Sequence, residues 1–196
     1  TTRDPIVLGA AIVNRLQTIA SREISPQDPI VVTVGSFRGG TTYNIIPDAA
    51  DLKLTVRTYS DETRAKVLAA IRRIVAGEAQ AAGLSEDLMP TVTVEEVYTR
   101  STYNSPAFTQ ENLAALEAAF GSDRVHTTPP QMVGEDFGEY RRADEDGIKS
   151  TLFWVGGTPK AVYDAAQTGG KPLPSLHSPF WKPEADKVIA SVARAL

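Results

Sequence analysis

Apolar side chains near the start of the chain recur at steps of three and four residues, the spacing of one helical face. Ile12, Leu16 and Ile19 follow this spacing. Asp4 precedes them as a capping residue, and Pro5 suits the first helical position, where no N–H is needed. The pattern predicts an amphipathic helix over residues 4–21.

Four later segments carry the alternation or the β-branched residues typical of strands. Between residues 52 and 58, leucine and valine alternate with polar and charged residues, so that one face is apolar. The other predicted strands span residues 30–34, 43–46 and 91–97. A second helix is predicted over residues 61–82, with Ser60 as its cap and Gly83 after its end. This order predicts an antiparallel sheet with helices on one face.

The second half of the chain follows a polar stretch at residues 99–106. A helix is predicted from Ser105 onward, and a short apolar strand at residues 151–155, followed by a long loop rich in glycine and proline. The final helix is predicted to begin at Pro183, with core positions at Val188, Ile189, Val192 and Leu196.

Composition narrows the functional classes. The 196 residues carry a net charge of −4, spread evenly, which argues against wholesale nucleic-acid binding. The absence of cysteine excludes a disulfide, a thiolate zinc cluster and a cysteine nucleophile. No apolar run reaches the length of a membrane span and no signal peptide is visible, so we expect a cytoplasmic protein without a membrane partner. The two histidines, His126 and His177, are too few for a complete His-rich metal site.

Five polar residues are candidates for chemistry. His177 lies in a loop before a helix, where an imidazole can ligate a metal or remain a surface residue. Glu135 and Asp136 can orient a ligating group, or complement the dipole of a helix start. Asn44 can donate and accept hydrogen bonds, and Arg57 can hold a carboxylate by two parallel bonds, although both also suit an ordinary sheet surface.

Several segments occur in a specific order and spacing. They are Asp4-Pro5-Ile6-Val7, residues 16–23 and 32–35, Asn44-Ile45-Ile46-Pro47-Asp48, Thr55-Val56-Arg57, Gly134-Glu135-Asp136-Phe137 and His177-Ser178-Pro179. The ordered set resembles the metal-dependent amidohydrolases of the aminoacylase and carboxypeptidase group. Hippurate hydrolase, N-acyl-amino-acid hydrolases and indole-acetyl-amino-acid hydrolases are members of that group.

The resemblance implies two domains. Residues 1–99 resemble a ferredoxin-like α+β lid that lacks its first strand, and residues 100–196 resemble the C-terminal part of an α/β catalytic domain. In the family the lid is an antiparallel sheet with two helices on one face, and it also forms the dimer. A homodimer is therefore expected.

The resemblance also implies the site. His177 matches a metal ligand, Asn44 and Arg57 match lid residues that hold the substrate, and Glu135 and Asp136 match a motif near the site. Asn44 and Arg57 are expected in adjacent strands, pointing from one end of the sheet toward a shared ligand. Two divalent ions are implied, zinc or else manganese, nickel or cobalt. The family's other metal ligands and catalytic glutamate precede position 1, so we expect an incomplete metal site and little activity in this chain.

The implied reaction is hydrolysis of the amide bond of an N-acyl amino acid or small peptide. Two alternatives stay open. One is a non-catalytic dimerisation or binding module, whose open sheet edge pairs with a second copy. The other is a peptidase or desuccinylase of the wider family, with the same metals and a different acyl group.

Overall fold

The computed structural model describes residues 2–195. These divide into two compact units, the first comprising residues 2–102 with Pro130–Glu139 and the second Tyr103–Pro129 with residues 140–195. Leu196, a predicted core position, lies outside the described residues, as does Thr1. No helix within residues 2–195 is long and apolar enough to cross a membrane.

The first helix, α1, spans Pro5–Thr18 and begins as predicted. A side-chain oxygen of Asp4 accepts hydrogen bonds from the backbone N–H groups of Ile6 (2.8 Å) and Val7 (3.3 Å), which otherwise have no partner within the helix. The helix then widens into a π turn, Ile19–Glu23, so the helical path ends two residues beyond the predicted one.

Two antiparallel strands form the sheet, β1 at Val31–Gly39 and β2 at Ala50–Arg57. Val31 faces Arg57 at one end of the hairpin, and Gly39 faces Ala50 at the other. Exposure alternates at every residue of β2, which confirms the predicted apolar face. The register is irregular between Val34 and Ser36, so that Gly35 is left without a partner on β2.

Two predicted strands are absent from the sheet. Residues 43–46 lie in the loop that joins β1 to β2, where Tyr43 is fully exposed and Ile45 largely so, since no partner surface covers them in the described chain. Residues 91–97 form no ladder either. Val92, in this segment, packs against the core. The alternating pattern of the segment therefore reflects burial of one face, although its backbone forms no strand pair.

Helix α2 spans Asp61–Ala81 and completes the core of the first unit. The Ser60 hydroxyl oxygen accepts a 3.0 Å hydrogen bond from the backbone N–H of Thr63, as the predicted cap requires. Gly83 follows the helix with a φ of +70°. The core consists of apolar side chains of α1, its π turn and α2, over the inward face of the hairpin: Ile12, Leu16, Ile19, Val67, Ala70, Ile71, Ile74 and Val75.

The helices of the remaining chain are α3 at Pro106–Phe120, α4 at Gly138–Ala143, α5 at Lys160–Gln167 and α6 at Ala185–Ala195. The short helix α5 replaces part of the predicted long loop. The final helix starts two residues after the predicted Pro183, and its Ile189 is 67% exposed rather than in a core.

The predicted strand at residues 151–155 is also absent. Its backbone instead bonds to the Asn104 side chain, which donates to the Leu152 carbonyl oxygen (2.9 Å) and accepts from the Leu152 N–H (2.8 Å). The neighbouring Ser150 is buried, and its hydroxyl donates to the carbonyl oxygen of Tyr103. Side-chain bonding of this kind competes with a strand ladder for the same backbone groups.

Candidate functional site

Arg57 is the last residue of β2 and lies on the exposed face of the hairpin. Its Nη1 atom donates a 2.8 Å hydrogen bond to the backbone carbonyl oxygen of Met132. A guanidinium has five N–H donors, so this bond leaves several for a ligand. Arg57 can therefore bind an anion while it holds a distant segment of the same unit.

Asn44 lies in the loop between the strands, at the hairpin end where Gly39 faces Ala50. The loop lines an open depression of about 600 Å³, to which Asp4 and Ile6 of the α1 start also contribute. Asn44 is exposed. Its amide group is accessible to a partner or ligand from solvent.

Asn44 and Arg57 lie at opposite ends of the hairpin, and the prediction that they point from one end toward a shared ligand is wrong. Seven residue steps separate Ala50 from Arg57 along β2, which corresponds to about 23 Å of extended chain. The prediction placed Asn44 in a strand, whereas it belongs to the turn.

Glu135 and Asp136 precede α4. Glu135 is half-buried, its Oε1 accepts a 3.1 Å hydrogen bond from the Phe137 N–H, and its carbonyl oxygen faces the Thr102 hydroxyl at 3.4 Å. Asp136 is exposed, and its carbonyl oxygen accepts from the N–H of Glu139. Both residues thus shape the chain before the helix, and their proposed support of a metal site stays a prediction.

His177 lies exposed in a turn of the second unit. Backbone hydrogen bonds from Ser178 N–H to Ser175 (2.9 Å) and from Trp181 N–H to Ser178 (3.0 Å) close this turn around it. His126 is exposed in the loop after α3. Both imidazoles are therefore open to solvent, and their positions do not by themselves distinguish a ligand from a surface residue.

A metal centre needs several ligands together. Within residues 2–195, no group of three or more histidine, cysteine, aspartate or glutamate side chains is placed to hold a metal ion. The residues of the described chain therefore do not fit a complete two-metal centre. His177 is available as a single imidazole ligand.

Two features were missed from the sequence. The bond from Arg57 to Met132 joins residues 75 positions apart, and no local pattern signals it. The exposure of Tyr43, Ile45 and Ile46 was not predicted, because their apolar character suggested a strand. The glycine pair before them and Pro47 after them were the signals of a loop.

Comparison with known proteins gives a consistent result. Residues 1–82 match the M20 family described as a peptidase dimerisation domain. An N-acetyldiaminopimelate deacetylase of Streptococcus thermophilus is 32% identical over 161 residues, covering 82% of this chain and 40% of the relative. The enzyme of the same name from Bacillus velezensis is 35% identical over 156 residues, covering 80% and 39%.

A solved structure is similar over almost the whole chain. A protein from methicillin-resistant Staphylococcus aureus, assigned as an aminohydrolase, matches with a TM-score of 0.71 and 29% identity. The match covers 98% of this chain and 45% of that protein. The chain thus spans about two fifths of the length of the curated relatives it matches.

Proposed function

Because this chain belongs to the M20 family of metal-dependent amidohydrolases, we propose that it forms part of a di-metal enzyme that cleaves the amide bond of an N-acyl amino acid. The observation that carries this proposal is the match over about 80% of the chain to relatives named as deacetylases. We propose residues 100–196 as part of the α/β catalytic domain and residues 1–99 as its ferredoxin-like lid.

The names of the relatives suggest a substrate class. Several matched proteins are named N-acetyldiaminopimelate deacetylase, which describes removal of an acetyl group from an amino acid with two carboxylates. We propose an N-acetylated amino acid of this class as the substrate. The exposed guanidinium of Arg57 is the proposed contact for one carboxylate, since a charge-assisted pair fixes both position and orientation.

The hairpin geometry sets a condition on this site. Asn44 belongs to the loop at one end of the hairpin, whereas Arg57 lies at the other end of β2, about 23 Å of extended chain from Ala50. An N-acyl amino acid is shorter than that strand. If both residues bind one substrate, they come from two copies of the chain. The matched dimerisation domain supports this arrangement, and we propose a homodimer.

His177 is the proposed metal ligand of this chain. If His177 and ligands from outside this chain held a metal ion, that ion would supply Lewis-acid chemistry for the amide carbonyl and an activated water. Histidine and carboxylate ligands suit zinc, manganese, nickel and cobalt alike. Glu135 and Asp136 are proposed to support that centre without binding the substrate. No residue of the chain is proposed as the catalytic base.

The test is hydrolysis by the protein expressed from the whole reading frame that contains this chain. We expect release of acetate from N-acetyldiaminopimelate or another N-acetyl amino acid. A chelator should abolish the activity, and zinc or manganese should restore it. Absence of hydrolysis across a panel of N-acyl amino acids would favour the non-catalytic module. Faster cleavage of succinylated substrates or dipeptides would favour the desuccinylase or peptidase alternative.

The two histidines provide a matched pair for the same test. His177→Ala should reduce turnover strongly and lower the bound metal content, whereas His126→Ala, also at an exposed loop position, should leave both unchanged. Equal effects of the two substitutions would remove the ligand role of His177 without touching the proposed reaction.

A further inference from the structure

Two arginine side chains converge on one tyrosine ring in the first unit. Cζ of Arg64, near the start of α2, lies 3.6 Å from the centroid of the Tyr98 ring, and Cζ of Arg100 lies 5.8 Å from the same centroid. Arg64 and Tyr98 are half-buried, and Arg100 is exposed. We name these three residues the arginine–tyrosine cluster.

Both guanidinium groups retain unused hydrogen-bond donors. A cation over a ring uses the face of that ring, whereas the five N–H donors of a guanidinium lie in its own plane and point outward. Within residues 2–195, neither Arg64 nor Arg100 forms a side-chain hydrogen bond or an ion pair, unlike Arg15, which pairs with Glu78 (3.0 Å). No nitrogen atom of the Arg64 side chain is buried without a partner, so its donors reach solvent. The cluster therefore offers two sets of free donors to a ligand.

Backbone contacts hold the two arginines in place without a ligand. The N–H of Arg64 donates to the carbonyl oxygen of Ser60 (3.0 Å). The hydroxyl of Ser101, the residue after Arg100, donates to the carbonyl oxygen of Tyr59 (2.7 Å). The two segments that carry the arginines are thus fastened to consecutive residues after β2. A ligand that binds both arginines does not have to order these segments first, which lowers the cost of binding.

No carboxylate of the described chain forms an ion pair with the cluster. Glu62, in the first turn of α2, bonds to Lys66 (2.7 Å), and Asp61 beside it has a contact of its own. Glu95 and Glu96, just before the ring in the sequence, are exposed and form no ion pair within residues 2–195. Two positive groups beside one ring repel each other, and an anion bound by both replaces this repulsion with attraction.

We propose that the arginine–tyrosine cluster is a binding site for a small dianionic oxyanion. Arg64 and Arg100 each donate charge-assisted hydrogen bonds to it from the edges of their guanidinium groups, and their two charges match those of the ligand. The Tyr98 ring orients both groups. A phosphate group and a dicarboxylate offer this chemistry alike. The inference is independent of the proposed reaction, because the site requires neither a metal ion nor hydrolysis.

Titration calorimetry of the 196-residue chain tests the site, with inorganic phosphate and succinate as separate probes in chloride buffer at constant ionic strength. We expect saturable binding of one anion per chain by at least one of the two probes. The affinity should fall as the salt concentration rises, because the site lies at the surface. The probe that binds more tightly identifies a phosphate group or a dicarboxylate as the source of the oxyanion. Absence of saturable binding by both probes would overturn the inference.

Single substitutions locate the bound anion. Arg100→Gln should raise Kd about 10- to 100-fold through the loss of charge-assisted hydrogen bonds, and the fold is retained because Arg100 is exposed. Arg100→Lys keeps the charge and should raise Kd less. The matched control is Arg72→Gln, at an exposed position of α2 without a ring contact, and it should bind as the wild type does. An equal loss of affinity in Arg72→Gln and Arg100→Gln would show unspecific attraction to positive charge and contradict the proposal.

Nuclear magnetic resonance of the arginine side chains gives an independent measurement. The Nε–H signals of Arg64 and Arg100, assigned by their loss in Arg64→Gln and Arg100→Gln, should shift together as the bound probe is added, while the signal of Arg72 stays in place. A shift of other arginine signals with these two unchanged would place the anion elsewhere and overturn the assignment.

Discussion

Nη1 of Arg57 lies 2.8 Å from the backbone carbonyl oxygen of Met132, and this hydrogen bond joins the end of β2 to a segment 75 residues further along the chain. The same segment is held by Thr102, whose hydroxyl lies 3.4 Å from the Glu135 carbonyl oxygen. Residues proposed for substrate binding and for support of the metal site are thus fastened within one unit.

Arg57 carries the first prediction. In the complete enzyme, Arg57→Ala should raise KM for carboxylate substrates about 10- to 100-fold, which corresponds to the loss of a charge-assisted hydrogen bond. Lys53→Ala, on the same exposed face of β2, should leave KM unchanged. Steady-state kinetics of both variants check this, with acylated amino acids and with amide analogues that lack the carboxylate as substrates. An equal rise for both substrates would show that Arg57 acts only through its bond to Met132.

Two glycines provide opposite predictions for stability. A Cβ on Gly138 would lie 3.0 Å from Cα of Thr102, and backbone cannot move aside as a side chain can, so Gly138→Ala should destabilise the chain by about 1–3 kcal/mol. Gly77 lies exposed inside α2 with nothing within 4 Å, so Gly77→Ala should stabilise by about 0.5–1 kcal/mol. Denaturant unfolding measures both. A stabilising Gly138→Ala would contradict the close packing described here.

Two aliphatic residues that the sequence predicted to be buried differ in their exposure in the structure. Leu16 is 1% exposed, so Leu16→Ala should cost about 2–5 kcal/mol of unfolding free energy. Ile189 is 67% exposed on α6, and Ile189→Ala should stay within about 0.5 kcal/mol of the wild type. A large loss at Ile189 would restore the predicted core role of this position.

The exposed pair Glu62 and Lys66 predicts a pH dependence. Their hydrogen bond (2.7 Å) lowers the pKa of Glu62 and raises the pKa of Lys66. The Glu62 contribution is present above its unfolded pKa and is lost as pH falls through the lower folded pKa. The Lys66 contribution is present below its unfolded pKa and is lost as pH rises through the higher folded pKa.

Lys66→Gln should therefore reduce the free energy of unfolding only between the folded pKa of Glu62 and the folded pKa of Lys66. The reduction should be small and should disappear in high salt, because the pair is exposed. Thermal unfolding of both chains across pH at low and high ionic strength checks this. A difference that survives 1 M salt would point to a packing role of the lysine stem.

Metal binding by the 196-residue chain is a further prediction. Since residues 2–195 gather no three ligands, zinc should bind weakly and without fixed stoichiometry in equilibrium dialysis. His177→Ala should reduce even this weak binding. Tight binding of one zinc ion per chain would contradict the incomplete site.

Local signals in the sequence predicted the helices of the first unit well. Asp4 and Ser60 cap α1 and α2 because their side chains reach backbone N–H groups only two or three residues away. The alternation in β2 was equally reliable, since it reflects one buried face. These features depend on neighbours along the chain.

The site was harder to predict because it depends on the hairpin. The apolar residues around Asn44 suggested a strand, and only the register of β1 on β2 shows that Asn44 and Arg57 lie at opposite ends. Residues 91–97 show the same limit: their pattern reports burial, and pairing requires a strand beside them. The family resemblance identified candidate residues but not their arrangement.

The unpaired Gly35 shifts the alternation of inward and outward side chains along β1 by one residue. Before it, Val34 pairs with the inward-facing Leu54; after it, Phe37 pairs with the inward-facing Leu52. Inward positions are thus odd-numbered after the bulge and even-numbered before it. Removal of Gly35 would turn Phe37 to the outer face of the sheet, away from Gly9 of α1. One glycine without a partner on β2 therefore decides whether this aromatic ring packs on the first helix or faces solvent.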